Sequence, residues 1–134
     1  MSKGFNKQKE YINKLNNDEE LFEKEFHNIK RTYPMDDSKK IHNFLKNNPG
    51  IILVLNDVKQ LMDEYIPYSI FNLTLDEDPI FVPQLQLVVK APRDKFENGF
   101  KEDVRRINSA IDPFLLEFDL SVEFFIFRQL LRDE

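Results

Sequence analysis

The stretch that decides the fold is Phe114-Leu-Leu-Glu-Phe-Asp-Leu-Ser-Val-Glu-Phe-Phe-Ile-Phe127, close to the end of the chain. Every second residue forms an apolar row, which contains Leu116, Phe118, Leu120, Val122, Phe124 and Ile126. The alternate row carries Glu117, Asp119 and Glu123. Such alternation is typical of a strand with one buried and one solvated face. We therefore predict a long antiparallel strand with its apolar row buried and its carboxylates exposed.

Immediately before this strand, the sequence predicts a helix that begins near Asp94. Its apolar residues recur at helical spacing, and they are Phe96, Phe100, Val104, Ile107 and Ile111. Asp112-Pro113 is expected to end the helix, because proline lacks the amide hydrogen that a helix needs. Further upstream, 68–75 and 84–90 alternate and flank the turn residues Asp76-Glu-Asp-Pro79, which predicts a β-hairpin.

The apolar run Ile51–Leu55 fits either a buried strand or a helix. Helical spacing continues beyond it, through Leu55, Val58, Leu61, Met62 and Tyr65. We therefore predict one helix over 49–66, with Asn48 as its N-cap and Pro49 as its first residue. A helix this apolar on all sides is expected to lie at the centre of the core.

The N-terminal segment 5–33 is predicted to be helical, with a heptad-like apolar seam. The seam consists of Ile12, Leu15, Phe22, Phe26, Ile29 and Tyr33. Asn16-Asn17-Asp18 interrupts it, and Asn17 with Glu20 would form a capping box, so either one bent helix or two short ones is expected. A further short helix is predicted after the capping residues 36–38.

The resulting fold class is α+β: N-terminal helices, followed by helix-strand-strand-helix-strand that form a small two-layer sandwich. A chain of 134 residues predicts a single domain over 1–134. Within it, 1–34 is a helical N-terminal segment and 35–66 contains further helices. Residues 67–127 contain the hairpin, a helix and the long last strand.

Composition excludes several classes of function. Three glycines, dispersed along the chain, cannot build a glycine-rich phosphate loop, and no cysteine is available as a nucleophile or zinc ligand. The lack of cysteine fits a cytoplasmic location, and no apolar run reaches the ~20 residues of a membrane span. The chain is acidic, with a net charge of −5, and residues from 49 onwards carry nine basic and sixteen acidic side chains. Nucleic-acid binding is therefore not expected.

Acidic residues provide the one candidate for chemistry. Asp76, Asp78, Glu117 and Asp119 supply the oxygen ligands that divalent metals prefer, which would suit a metal-dependent hydrolase or nuclease. One kind of nuclease site uses Glu-x-Lys on the following strand, but Val88 precedes Lys90 at that spacing. An acidic turn and a solvated strand face explain the carboxylates better, so we predict no catalytic residue, metal or cofactor.

Association is the function that the sequence favours. Phe22, Phe26 and Ile29 on the seam, with Phe125 and Phe127 on the polar side of the last strand, are apolar residues without an evident partner. They predict a protein partner or self-association, and in particular a homodimer. Cover of Phe125 and Phe127 by the N-terminal helix is the simpler explanation for those two residues, and the seam has the rest of its own chain as an alternative burial partner. We interpret the chain as a soluble, non-catalytic protein-interaction module. A small apolar ligand between sheet and helices is a weaker alternative.

Overall fold

The computed structural model describes residues 6–76, 84–117 and 123–129, the last of these as backbone. The elements, in order, are α1 Asn6–Asn17, α2 Glu19–Thr32, α3 Ser38–Asn47, α4 Gly50–Tyr65, β1 Ile70–Asp76, β2 Gln84–Ala91, α5 Arg93–Glu97, α6 Phe100–Glu117 and β3 Glu123–Gln129. The predicted α+β class is confirmed, and so is the general order of helices and strands.

The sheet has the strand order β1-β2-β3. β1 and β2 are antiparallel, from Ile70 opposite Lys90 to Asp76 opposite Gln84, as the hairpin prediction requires. β3 runs parallel to β2, so its prediction as an antiparallel strand was wrong. The reason is the connection: α6 crosses over between β2 and β3, and a strand-helix-strand crossover returns the chain in the same direction.

The outer edge of β1 is covered at its centre by residues 34–36. The amide of Leu73 donates to the Pro34 carbonyl at 2.8 Å, and the Asp36 amide donates to the Leu73 carbonyl at 3.1 Å. The Asn72 side-chain amide adds a bond to the Asp36 carboxylate at 3.1 Å. These bonds satisfy backbone groups that an edge strand would otherwise leave unpaired.

The helices cover one face of the sheet and share a single core with it. From β1 and β2 that core receives Leu73, Leu85, Leu87, Val89 and Ala91, all fully buried. α4 is the central helix, with seven of its residues buried, so Ile51–Leu55 is helical as predicted. Asn48, however, is not its side-chain cap: the Asn48 side-chain nitrogen Nδ2 donates to the Phe44 carbonyl at 2.9 Å and so closes α3.

The N-terminal segment consists of two helices rather than one bent helix. Asp18 has an extended backbone between them, and its carboxylate accepts from the Leu21 amide at 3.1 Å. The prediction of Asn17 as the cap was wrong by one residue. The Asn17 side chain instead donates to the Asn13 carbonyl at 2.9 Å, in the last turn of α1.

The largest correction concerns 112–117, which is helix where a break at Asp112-Pro113 and a strand from Phe114 were predicted. Pro113 lies inside α6, exposed like Ser109, so the Ser109 carbonyl that loses its helical partner can be hydrated. Phe114 is buried at 7% exposure, whereas Leu116 is 82% exposed and its predicted burial was wrong. Glu117 is exposed as predicted, but as the last residue of α6. Phe118, Asp119, Leu120 and Val122 lie outside the described residues.

The helix predicted to begin near Asp94 is divided into α5 and α6. Gly99 separates them with a φ of +103°, a conformation that residues with a side chain rarely adopt. The apolar stripe nevertheless continues across the break, because the rings of Phe96 and Phe100 stack with centroids 5.9 Å apart. The break therefore redirects the chain without removing either ring from the packed layer.

Candidate functional site

The N-terminal seam is buried within its own chain. Phe22, Phe26 and Ile29 of α2, three of the predicted interaction residues, all belong to the core. The ring of His42, on α3, lies edge-on to Phe22 and Phe26, with centroid distances of 5.3 and 4.7 Å. Burial against the rest of the same chain is one of the two alternatives that the sequence left open for the seam.

Two ion pairs surround this aromatic cluster. His42 Nε2 lies 2.8 Å from the Glu23 carboxylate, and Lys46 Nζ lies 3.2 Å from Glu19. Both pairs join α2 to α3, so the neighbours of His42 are a carboxylate and two phenyl rings. His27 is exposed on α2. The arrangement therefore holds α2 and α3 together, and within the described part of the chain neither histidine belongs to a group that could bind a metal ion.

The structure describes two of the four predicted metal ligands, and they end different elements. Asp76 is the last residue of β1 and Glu117 the last of α6, whereas Asp78 lies outside the described residues, as Asp119 does. Within the described ranges, no group of three or more His, Asp or Glu side chains is close enough to hold a metal ion. A metal site that uses the two undescribed aspartates stays a prediction.

β3 lies at one margin of the sheet and contains Phe125 and Phe127, the remaining predicted interaction residues. It pairs with β2 from Gln86 opposite Glu123 to Ala91 opposite Gln129. The register shifts between Leu87 and Val88, so Phe125 has no partner residue on β2. Among the described strands, β2 alone pairs with β3, and the side that faces away from β2 is here called the outer edge of β3.

A cavity of about 320 Å³ opens between α1, α4 and α6. Its polar wall consists of Gln8 from α1 and Asp57, Gln60 and Glu64 from α4. Its apolar wall includes Val54 and Leu61 of α4 and Ile111 and Phe114 of α6. The cavity thus combines hydrocarbon surface with convergent polar groups, which is the usual composition of a ligand site.

Two features of this polar wall are unusual. The side-chain oxygen of Gln8 is fully buried and has no hydrogen-bond partner among the described residues. Such a group costs free energy unless something donates to it. Asp57 is largely exposed to solvent, but the packed cavity wall partly desolvates its carboxyl group and raises its pKa.

Sequence reasoning did not find this cavity, although one signal was present. Asp57, Gln60 and Glu64 recur at spacings of three and four, so they form a polar stripe along an otherwise apolar helix. Such a stripe marks the wetter side of a buried helix. It does not show that Gln8 and Phe114, more than a hundred residues apart, line the same space.

No family model, curated protein or solved structure matches the chain. None of the helices in the described part of the chain is both long and apolar enough to cross a membrane.

Proposed function

We propose that this chain is a non-catalytic protein-interaction module, and that its partner is a second copy of itself, bound along the outer edge of β3. The observation that carries the proposal is the position of β3 at the sheet margin, paired with β2 alone among the described strands. A strand in this position presents a row of backbone donors and acceptors that readily pair with another strand.

The sequence of β3 suits pairing with itself. An antiparallel pair around a two-fold axis overlaps completely when the axis passes through Ile126, the midpoint of Glu123–Gln129. In that register Ile126 lies opposite its own copy, and Phe125 lies opposite Phe127 of the second copy. Aromatic pairs directly across two strands stabilise a sheet by about 0.2–1 kcal/mol each, and the symmetry provides two of them.

The other possible interfaces are less suitable. Residues 34–36 already bond to the centre of β1 on its outer edge, and the helical seam is filled by the chain's own residues. Pairing through β3 is isologous and closes after two copies, so it does not continue into a fibre. We further propose a cytoplasmic location, which the lack of cysteine favours.

Light scattering on the purified chain tests this proposal. We expect a dimer, and we expect Phe125→Lys combined with Phe127→Lys to give a monomer, because the register places lysine opposite lysine twice. Phe125→Lys combined with Phe127→Glu should restore the dimer, since each lysine then faces a glutamate. Ile70→Lys is the matched control: Ile70 is 53% exposed at the start of β1, away from the proposed interface.

The rescue separates loss of pairing from loss of folding, because both double variants remove the same two phenyl rings. A monomeric wild-type chain, or two double variants with the same mass in solution, would show that β3 does not mediate association in this register.

A further inference from the structure

We infer that the cavity between α1, α4 and α6 binds a small organic cation, with a primary ammonium or guanidinium group attached to a short apolar body. The inference is independent of the proposed dimer, because none of the lining residues belongs to β3.

The polar wall accepts hydrogen bonds. The carboxylates of Asp57 and Glu64 accept hydrogen bonds from any cation that enters, and the side-chain oxygen of Gln8 in the same wall has no donor among the described residues. The described lining contains these two acids and no lysine, arginine or histidine. Lys59, the nearest lysine to Asp57 on α4, bonds to Asp63 at 2.5 Å, so it is already paired with a carboxylate of its own helix. A cationic ligand would therefore meet acceptors and negative charge together.

The opposite wall selects for an apolar body. Leu61, Ile111 and Phe114 provide hydrocarbon and one aromatic ring, which bury the carbon atoms of a ligand and attract a cation near the ring face. A space of about 320 Å³ lies at the small end of the range for ligand pockets. It suits a molecule of roughly ten non-hydrogen atoms rather than a nucleotide or a peptide.

Partial desolvation supports this assignment. The packed walls raise the pKa of Asp57, so its carboxylate is less well solvated than a free one. A bound ammonium would compensate for this loss of solvation. Binding should therefore strengthen as the pH rises through the range in which Asp57 ionises, and Glu64 is the other titratable group of the described lining.

Amide chemical shifts measured on the full chain test the inference with three probes of nearly equal size. They are phenethylammonium, 2-phenylethanol and phenylacetate, which differ in charge. We expect saturable shifts at Ala110, Ile111 and Asp57 with the cation, at concentrations of about a millimolar. The alcohol should bind more weakly, and the carboxylate should give no shifts at these residues.

Isosteric variants complete the test. Asp57→Asn combined with Glu64→Gln keeps shape but removes both charges, and it should weaken binding of phenethylammonium by about tenfold. Glu20→Gln is the control, because Glu20 is an exposed acid on α2 outside the cavity lining. Equal binding of the three probes, unchanged affinity in the double variant, or no shifts with the cation would each overturn the inference. A well-dispersed spectrum of each variant shows that it is folded.

Discussion

The hydroxyl group of Tyr33 donates a 2.5 Å hydrogen bond to the backbone carbonyl oxygen of Leu55. Tyr33 is the residue that ends α2, and Leu55 lies in the middle of α4, so the bond fixes the N-terminal helices to the central helix. Burial, together with the nearby Asp63 carboxylate, raises the pKa of Tyr33 well above its usual range. The hydroxyl group therefore remains a donor at neutral pH and beyond the pH at which an exposed tyrosine ionises.

Tyr33→Phe should lower the free energy of unfolding by about 1 kcal/mol, the typical net contribution of one buried hydrogen bond. The ring itself remains, and so does its edge contact with Phe71 at 5.5 Å. Tyr65→Phe on α4 removes the hydroxyl of a half-buried tyrosine and should change stability less. Urea unfolding of both variants measures the difference, and equal losses would mean that the bond contributes nothing specific.

Asp18→Ala should destabilise the protein by about 1 kcal/mol, because it removes the side chain that caps α2. Asn17→Ala should cost less, since Asn17 donates to a carbonyl on the solvated surface at the end of α1. Thermal unfolding of the two variants compares neighbouring residues directly. A larger loss of stability for Asn17→Ala than for Asp18→Ala would instead favour Asn17 as the cap of α2, as the sequence predicted.

Asp57→Asn should stabilise the protein slightly at pH 7, by no more than about 0.5 kcal/mol for a solvent-accessible position. The pKa of Asp57 is raised on folding, so the folded state favours the protonated form. The wild-type chain therefore loses stability as the pH rises through the interval between the unfolded and folded pKa values. Below the unfolded value, about 3.9, the advantage of asparagine should disappear.

Unfolding measured from pH 3 to pH 7 on both chains checks this prediction. Asp63→Asn is the control, because Asp63 pairs with Lys59 and its loss should not stabilise the chain at neutral pH. A gain for Asp57→Asn that is as large at pH 3 as at pH 7 would show that desolvation of the carboxylate is not its origin.

Substitutions at the end of α6 distinguish a helix from a strand over 114–117. Phe114→Ala should cost about 3 kcal/mol, because the ring is buried. Leu116→Ala should change stability by no more than about 0.5 kcal/mol, because Leu116 is largely exposed on the helix. In a strand with the predicted apolar row, Phe114 and Leu116 would lie on the same buried face, and both substitutions would be strongly destabilising. Chemical denaturation of the two variants decides between them.

The local pattern of apolar residues predicted α4, β1 and β2 well, because the residues of each element that pack in the core follow the spacing of that element. Leu73 and Leu87, for example, belong to the alternating rows of β1 and β2 and are both buried. It failed at 112–117, where alternation resembles a strand but Pro113 lies on the exposed side of a continuing helix. The direction of β3 depends on the α6 crossover, which no property of β3 itself determines. The cavity could not be predicted for a similar reason, since Gln8, Asp57 and Phe114 come together only in the folded chain.

The most direct test of association through β3 is disulfide cross-linking with Ile126→Cys. The natural chain contains no cysteine, so the introduced thiol can pair only with its copy. Residues directly opposite in an antiparallel pair lie about 4.5–5.5 Å apart between Cα atoms, within the range that a disulfide spans. Ile70→Cys, exposed on β1, controls for random collision. We predict rapid formation of a covalent dimer by Ile126→Cys and not by Ile70→Cys; equal, slow cross-linking of the two folded variants would contradict pairing of β3 with itself.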